Sequence, residues 1–392
     1  MKDNGVFCVA PWTHMHVEPD GNVQLCCASN WKHDHNRSLG NLNHNTPREI
    51  WNNSQYKQVR QNMLAGRAMP EYCSPCYIRE QGGINQTERQ RLNKEFTSGY
   101  ERSQNTNPDG SYDLLELEYL DIRFNNLCNL KCRTCGPDWS SSWANELGKE
   151  QVLRYNDNWR KLIPYLGKLK KVYFAGGEPL MTPEHYDFLE HLAQVNTDLE
   201  LLYTSNFTRL NLGNRHVLDQ WKKFRLVSAV ASVDHVDEYA AYVRTGSDYK
   251  TIVDNIKTVR NSGYDNIHSA VTCVLSLYNI TKIGTIVERL HQDGVIHNMD
   301  QIVFNILVNP GYQMATVMHD MSIISAVDNI QQGINYCVQN NLDPQKLQSI
   351  LDWFRKNQKY DEQKFSQFVE YNKKLDSIRN TNFQTMYPEY IH

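Results

Sequence analysis

Residues 117–135 read LEYLDIRFNNLCNLKCRTC: an apolar run over 117–124, a short polar turn, then Cys128, Cys132 and Cys135 in the spacing C-x3-C-x2-C. The first eight residues alternate in a way that suits a β-strand. Leu120, Ile122 and Phe124 fall on one face and Asp121 and Arg123 on the other. Three thiolates on a tight loop can hold three irons of a 4Fe-4S cluster and leave the fourth iron open, which a catalytic cluster requires. A structural zinc site is the alternative. It wants a fourth ligand, and the nearest downstream histidine is His185.

Outward from this stretch, apolar strand-like runs alternate with amphipathic helical patterns. The candidate strands are 117–124, 171–175, 199–204, 225–233, 267–275 and 300–308, with helical patterns near 139–150, 158–167, 183–195, 214–223, 249–262 and 279–292. Strands separated by helices imply parallel β/α units with right-handed crossovers. About 200 residues is short for a complete eight-unit barrel, so an α/β partial (β/α)6 TIM-type barrel is expected, with a doubly wound open sheet as the runner-up. Either places the chemistry at the C-terminal ends of the strands. Asp121, Arg123, Asp234 and Asn305 are the lumen-facing candidates for positioning a substrate.

The domains expected are a cysteine-rich segment over 1–95, a polar linker with a turn over 96–112, the barrel over 113–314 and a helical region over 315–392. The tail should form about three helices, split near Asn340-Asn341 and Lys359-Tyr360, and would cap the barrel or meet a partner. The 41 Lys+Arg against 44 Asp+Glu give a net charge of −3, so no electrostatic footprint for nucleic acid or an anionic membrane is expected. No run approaches the ~20 apolar residues of a membrane span, and MKDNGVFCVAPW lacks the layout of a signal peptide. A cytoplasmic protein is the expectation. A chain of 392 residues needs no disulfide staples, so its ten cysteines, eight of them before residue 136, suggest metal.

The second candidate strand runs into AGGEP (175–179), the third into YTSN (203–206) and the fourth into SVD (232–234). Together with CNLKCRTC, these motifs resemble the radical S-adenosylmethionine (radical SAM) superfamily over about residues 115–310. The resemblance implies that Cys128, Cys132 and Cys135 ligate a catalytic 4Fe-4S cluster whose open iron binds S-adenosylmethionine. One-electron cleavage would then release methionine and a 5′-deoxyadenosyl radical that removes a hydrogen atom from substrate. It further implies that Gly176, Gly177 and Glu178 meet the methionine amino group and that Ser205 and Asn206 meet ribose or carboxylate. Ser232 is a further cofactor contact, and Arg244 in YVRTG pairs with the cofactor carboxylate. Thr134 departs from the family, many members of which carry an aromatic residue there to enclose the cofactor.

The N-terminal segment carries Cys8, Gly21, Cys26, Cys27 and the pair Cys73 and Cys76. This C-x12-G-x4-C pattern with a later C-x2-C resembles the SPASM/twitch auxiliary-cluster domains. It implies one auxiliary 4Fe-4S cluster on Cys8, Cys26, Cys73 and Cys76, with Cys27 spare or replacing Cys26, in a domain that usually follows the barrel. VEPDGNVQLCC reads as a β-hairpin turned at Asp20-Gly21, which would bring Cys26 back towards Cys8. Zinc on four thiolates is the alternative here too. His14 and His16 are expected on a strand and His33 and His35 on an exposed loop, without a metal; Cys273 and Cys337 read as inert. The expected function is a radical SAM oxidoreductase or modifying enzyme acting on a peptide or small metabolite. Its auxiliary cluster would transfer electrons, and an external donor such as flavodoxin or ferredoxin would supply them. A nucleic-acid-modifying enzyme and a zinc-stabilised interaction protein are the competing readings.

Overall fold

The computed structural model describes residues 5–29, 38–81, 87–149 and 157–390. His33 and His35 lie outside the described residues. The strands are β1 (His14–Val17), β2 (Asn22–Gln24), β3 (Gly40–Asn41), β4 (Tyr119–Ile122), β5 (Lys131–Cys132), β6 (Lys171–Phe174) and β7 (Glu200–Ser205). They continue with β8 (Asn211–Leu212), β9 (Arg215–His216), β10 (Leu226–Ser232), β11 (Arg244–Thr245), β12 (Ile267–Leu275) and β13 (Ile302–Ile306). The six barrel strands expected from the sequence are β4, β6, β7, β10, β12 and β13. The chain divides into two interleaved compact units. The first comprises Met1–Cys128, Pro137–Tyr203 and Asn211–Ser228, and the second Asn129–Gly136, Thr204–Leu210 and Ala229–His392.

In the first unit the sheet runs in the order β7-β6-β4-β1-β2-β3. β4, β6 and β7 are parallel neighbours in sequence order, as successive right-handed β/α units require. A feature that the sequence left open is how the cysteine-rich segment attaches. Its β1 lies parallel to β4, with His16 opposite Asp121, and turns back antiparallel into β2. The first barrel strand is therefore covered rather than left as an open edge. Beneath the sheet, Phe124, Trp159, Phe174 and Phe188 meet edge-to-face with centroids 5.5–6.4 Å apart. Such pairs add about 0.5–1.5 kcal/mol each beyond area burial.

In the second unit β13, β12 and β10 lie side by side in that order, with β12 and β13 parallel. Within each unit the β/α strands keep their sequence order, with none of the reversal that makes the switch point of a doubly wound sheet. The tail forms helices over Asp320–Gln339, Gln345–Asn357 and Glu362–Arg379, split where the sequence suggests. Its first helix packs on the barrel helix Ile283–Gln292 through facing glycines. A Cβ on Gly333 would stand 2.5 Å from the Gly284 Cα, an approach only glycine allows.

One expectation is corrected. Residues 96–112 read as a polar linker, but Ser98–Gln104 is a helix and only 105–112 is turn-like. Its polar residues are engaged in contacts: Arg102 pairs with Glu118 at 2.6 Å, and Ser98 donates to the same carboxylate. Polar composition and irregular structure are different things where the charges find partners.

Candidate active site

The glycine–glutamate segment is built in the first unit, where β6 ends. Gly176 adopts φ +110, and Gly177 lies so close to the preceding loop that a Cβ there would sit 2.4 Å from the Leu127 carbonyl oxygen. Two backbone bonds seal this contact: Gly177 N–H donates to Asn125 O (3.2 Å) and Glu178 N–H to Leu127 O (2.7 Å). The segment expected to hold the methionine amino group is thus stitched to the three residues that run into Cys128. The Glu178 carboxylate is buried and accepts the Leu180 N–H at 3.1 Å. Cys128 is half-buried, with its N–H donating to Ser141 Oγ.

Beside this segment lies an ion network built by β1 and β4. His16 Nδ1 stands 2.7 Å from Asp121 and its Nε2 2.9 Å from Glu18. Arg123 approaches the same two carboxylates at 3.5 and 3.8 Å, and its guanidinium lies over the Trp139 ring at 5.2 Å. Burial opposes charge on His16, but the Asp121 and Glu18 carboxylates outweigh it and raise its pKa. Burial also opposes charge on Asp121, which His16 and Arg123 nevertheless hold below the usual carboxylate range. The Gly176 position is near enough to Arg123 that an added Cβ would lie 3.1 Å from the arginine Cβ. Of the lumen candidates in this unit, Asp121 is spent on His16, while Arg123 keeps a partly exposed side chain.

The N-terminal cysteines also belong to the first unit. Cys73 and Cys76 lie on the helix Pro70–Gln81, and an i, i+3 spacing puts both thiols on one helix face. Cys8 is buried and is acted on by Cys73 and Cys76; Cys26, half-buried, is acted on by Cys27, Glu88, Cys76 and Cys8. Burial raises all four thiols, so thiolates there need a cation or cluster to hold them. Donors suited to that state are present: the Ala10 backbone bonds Cys8, the Arg89 backbone bonds Cys76, and Tyr77 bonds Cys73. After burial, the groups acting most on Cys27 are Glu88, Asp121, Arg123 and Arg91, while Cys27 itself acts on Cys26. Among the described residues no three His, Cys, Asp or Glu side chains converge tightly enough for a single metal ion. Four thiols of this kind are the donor set that a 4Fe-4S cluster takes. His14 and His16 lie on β1, and His14 bonds the Tyr119 carbonyl at 3.1 Å.

The second unit holds Cys132, Cys135 and the remaining cofactor candidates. β5 pairs antiparallel with β11, setting Cys132 opposite Arg244. Burial raises the Cys132 thiol, Arg244 lowers it and Asp234 raises it. Arg244 pairs with Asp234 at 2.7 Å, and Asp234 also accepts the Val274 N–H at 2.9 Å. The residue expected to meet the cofactor carboxylate and the one expected to meet substrate therefore engage each other. Asn206 donates to Asn129 Oδ1 (2.9 Å), inside the cysteine loop, and accepts from Thr208. Ser205 Oγ accepts the Phe207 N–H, Ser232 is half-buried on β10, and Asn305 is exposed on β13 and donates to Thr272.

Sequence reasoning passed over two sets of residues. His16 and Glu18 were read as plain strand residues, because their partner Asp121 lies 105 positions from His16. Arg133, between the second and third loop cysteines, is fully buried and is held by Asn372, Asp376 and Thr381 of the tail. No local pattern could have signalled either set.

Residues 8–77 match the SPASM iron–sulfur cluster-binding domain and residues 122–290 match the radical SAM superfamily. Among curated proteins the chain is similar to GTP 3′,8-cyclases. That of Mannheimia succiniciproducens is 26% identical over 155 residues, 39% of this chain and 44% of that enzyme. That of Aliarcobacter butzleri is 28% identical over 92 residues, 23% and 28%. The chain thus spans less than half the length of either relative. Among solved structures, native anSMEcpe with bound AdoMet aligns at 16% identity and TM-score 0.41, covering 57% of this chain and 62% of that one. Streptococcus suis SuiB bound to precursor peptide SuiA aligns at 13% and 0.40, covering 75% and 62%. Likeness at that level supports no inference about substrate. No helix among the described residues is long and apolar enough to cross a membrane. With both domain matches in the places where the cysteine loop, the glycine–glutamate turn and the N-terminal thiols stand, the chain carries a radical SAM domain, and its SPASM-type iron–sulfur domain precedes that domain in sequence.

Proposed function

We propose that this enzyme cleaves S-adenosylmethionine reductively and removes a hydrogen atom from a peptide or small metabolite, with an auxiliary cluster as electron acceptor. Cys128, Cys132 and Cys135 would ligate the catalytic 4Fe-4S cluster, and Cys8, Cys26, Cys73 and Cys76 the auxiliary one. The catalytic cluster, when bound, supplies the single electron that splits the cofactor into methionine and a 5′-deoxyadenosyl radical. Glu178, buried and oriented by the Leu180 N–H, suits a methionine ammonium, because a carboxylate kept from water interacts strongly with a cation. Arg244 would turn from Asp234 towards the cofactor carboxylate, its fork geometry matching two oxygens. Ser205, Asn206 and Ser232 line the approach to the sugar.

The observation that carries the reading is the close seam between Gly177 and Leu127, which ties the glycine–glutamate turn to the residues leading into Cys128. Arg123 is the strongest substrate-positioning candidate, since Glu18, Asp121 and Trp139 hold its guanidinium while its side chain stays partly exposed. Asp121 and Asp234 act through Arg123 and Arg244, and Asn305 is a further candidate. The likeness to GTP 3′,8-cyclases supports the shared chemistry; with so little of their length matched, it does not decide between a metabolite and a peptide. A cysteine-rich domain over 1–95, a barrel over 113–314 and a helical region over 315–392 belong to the same proposal, with a cytoplasmic setting and a flavodoxin- or ferredoxin-type donor. The net charge of −3 disfavours a nucleic-acid substrate.

Replacing Cys132 by Ala should abolish 5′-deoxyadenosine formation under dithionite, and retained turnover refutes the reading. Anaerobically purified protein should hold about eight irons per chain; zinc without iron or sulfide would replace the enzyme reading by a zinc-stabilised module.

A further inference from the structure

The three residues after the second loop cysteine are Arg133, Thr134 and Cys135, and Arg133 is the only cation inside the loop after Lys131. Its side chain is fully buried in the second unit. Nη2 meets Asp376 at 2.6 Å and Thr381 Oγ1 at 2.8 Å, Nη1 meets Asn372 Oδ1 at 2.8 Å, and Nε meets the Tyr242 carbonyl at 2.9 Å. The guanidinium also lies 3.7 Å from the centre of the Tyr242 ring. Every face of this cation is occupied by protein, which is what a buried guanidinium needs to offset its desolvation.

The tail grips the loop backbone as well. The Arg133 carbonyl accepts from Gln313 Nε2 (3.0 Å) and from the Tyr371 hydroxyl (2.8 Å). Arg379 Nη1 donates to the Lys131 carbonyl (2.9 Å) and to Thr245 Oγ1 (3.2 Å). Four residues of one helix, Tyr371, Asn372, Asp376 and Arg379, thus hold the backbone and side chain on both sides of Cys132. Asp376 in turn accepts from the Phe383 N–H and Thr381, so the helix end and the turn after it form one rigid block with the loop.

We propose that the C-terminal helix Glu362–Arg379 is a positioning element for the catalytic cluster: through the Arg133–Asp376 pair it fixes the loop that presents Cys132 and Cys135 and balances the charge next to them. The proposal rests on the reading that these cysteines ligate the cluster. Partners one layer behind a metal ligand set its orientation and charge environment, and losing one costs about 10–100-fold in metal affinity or activity. Asp376 is such a partner at one remove. Replacing its carboxylate by an amide leaves the Arg133 charge without its counterion one residue along the chain from Cys132, which favours the more negative, reduced state.

The test compares Asp376→Asn and Arg133→Lys with Asp361→Ala in the full chain. Asp361 caps the same helix through the Lys364 N–H and touches neither Arg133 nor the loop, so its loss weakens the helix without altering the pair. The readouts are iron release to a chelator, the midpoint potential, and the change in the reduced protein's electron paramagnetic resonance spectrum on adding S-adenosylmethionine, which belongs to the cluster with an open iron. Asp376→Asn should speed iron release from that cluster about 10–100-fold and raise its potential. Arg133→Lys, which keeps the charge but loses the fork, should speed release with a smaller change in potential, and Asp361→Ala should leave both at wild-type values. Wild-type release and potential in Asp376→Asn, or equal changes in Asp361→Ala, overturn the proposal. A wild-type protein whose spectrum ignores S-adenosylmethionine overturns instead the assignment of the cluster to these cysteines.

Discussion

Gly177→Ala tests the seam on which the cofactor site is built. The new methyl would lie 2.4 Å from the Leu127 oxygen, 2.6 Å from the Asn126 carbonyl carbon and 2.8 Å from the Leu127 carbonyl carbon. All three are backbone atoms, so no side chain can swing away. Relief needs the turn to retreat by roughly 1 Å to reach ordinary carbon contact distances. That displacement stretches the Glu178–Leu127 and Gly177–Asn125 bonds, now 2.7 and 3.2 Å, beyond useful length. Overpacking costs about 1–3 kcal/mol and each lost bond about 0.5–1.5 kcal/mol, giving about 2–6 kcal/mol in all. Part of this will appear as lost stability and part as a turn that no longer presents Glu178. The assay is anaerobic titration of the reconstituted protein with S-adenosylmethionine beside urea unfolding of the same sample. The expectation is a Kd at least about tenfold weaker, equivalent to 1.4 kcal/mol, together with a lower unfolding midpoint. Wild-type affinity and midpoint would show that the seam yields freely and plays no part in holding the cofactor.

Two further outcomes follow from the first unit. His16→Gln breaks a buried pair and should cost about 3–5 kcal/mol near neutrality, read from urea unfolding. His16 is raised from 6.5 to about 9, so its stabilisation is fully present below pH 6.5 and fades as pH rises through 9. The gap between wild type and variant should therefore narrow between pH 7 and 9.5, and a gap that widens there contradicts the pairing. Cys26→Ser should lower bound iron by about four per chain and Cys27→Ser should leave it unchanged, because Cys8 and Cys76 act on Cys26 whereas Asp121 and Arg123 act on Cys27. The reverse pattern of iron counts would make Cys27 the ligand.

Local spacing made much of this legible. The run of Leu120, Ile122 and Phe124 against Asp121 and Arg123 needs only the two-residue period of a strand, and all six barrel strands could be read that way. The three cysteines of the loop and the helical Cys73–Cys76 pair likewise depend on neighbours in sequence. The helix over Ser98–Gln104 was misread because its charges imitate a linker, and only Glu118 and the packing around it explain them.

By itself the sequence determined the order of β/α units, the two sets of thiols and the family they resemble. Each is a matter of residues within a few positions of one another, where backbone geometry leaves few choices. Only the tertiary structure decided that β1 lies beside β4, that His16 takes Asp121 as partner, that Arg244 faces Asp234, and that the last long helix grips Arg133. Arg133 and Asp376 are 243 positions apart, and a contact at that distance leaves no periodic trace in one sequence. It exists because a buried guanidinium must find a counterion, and folding alone determines which carboxylate is near enough to serve.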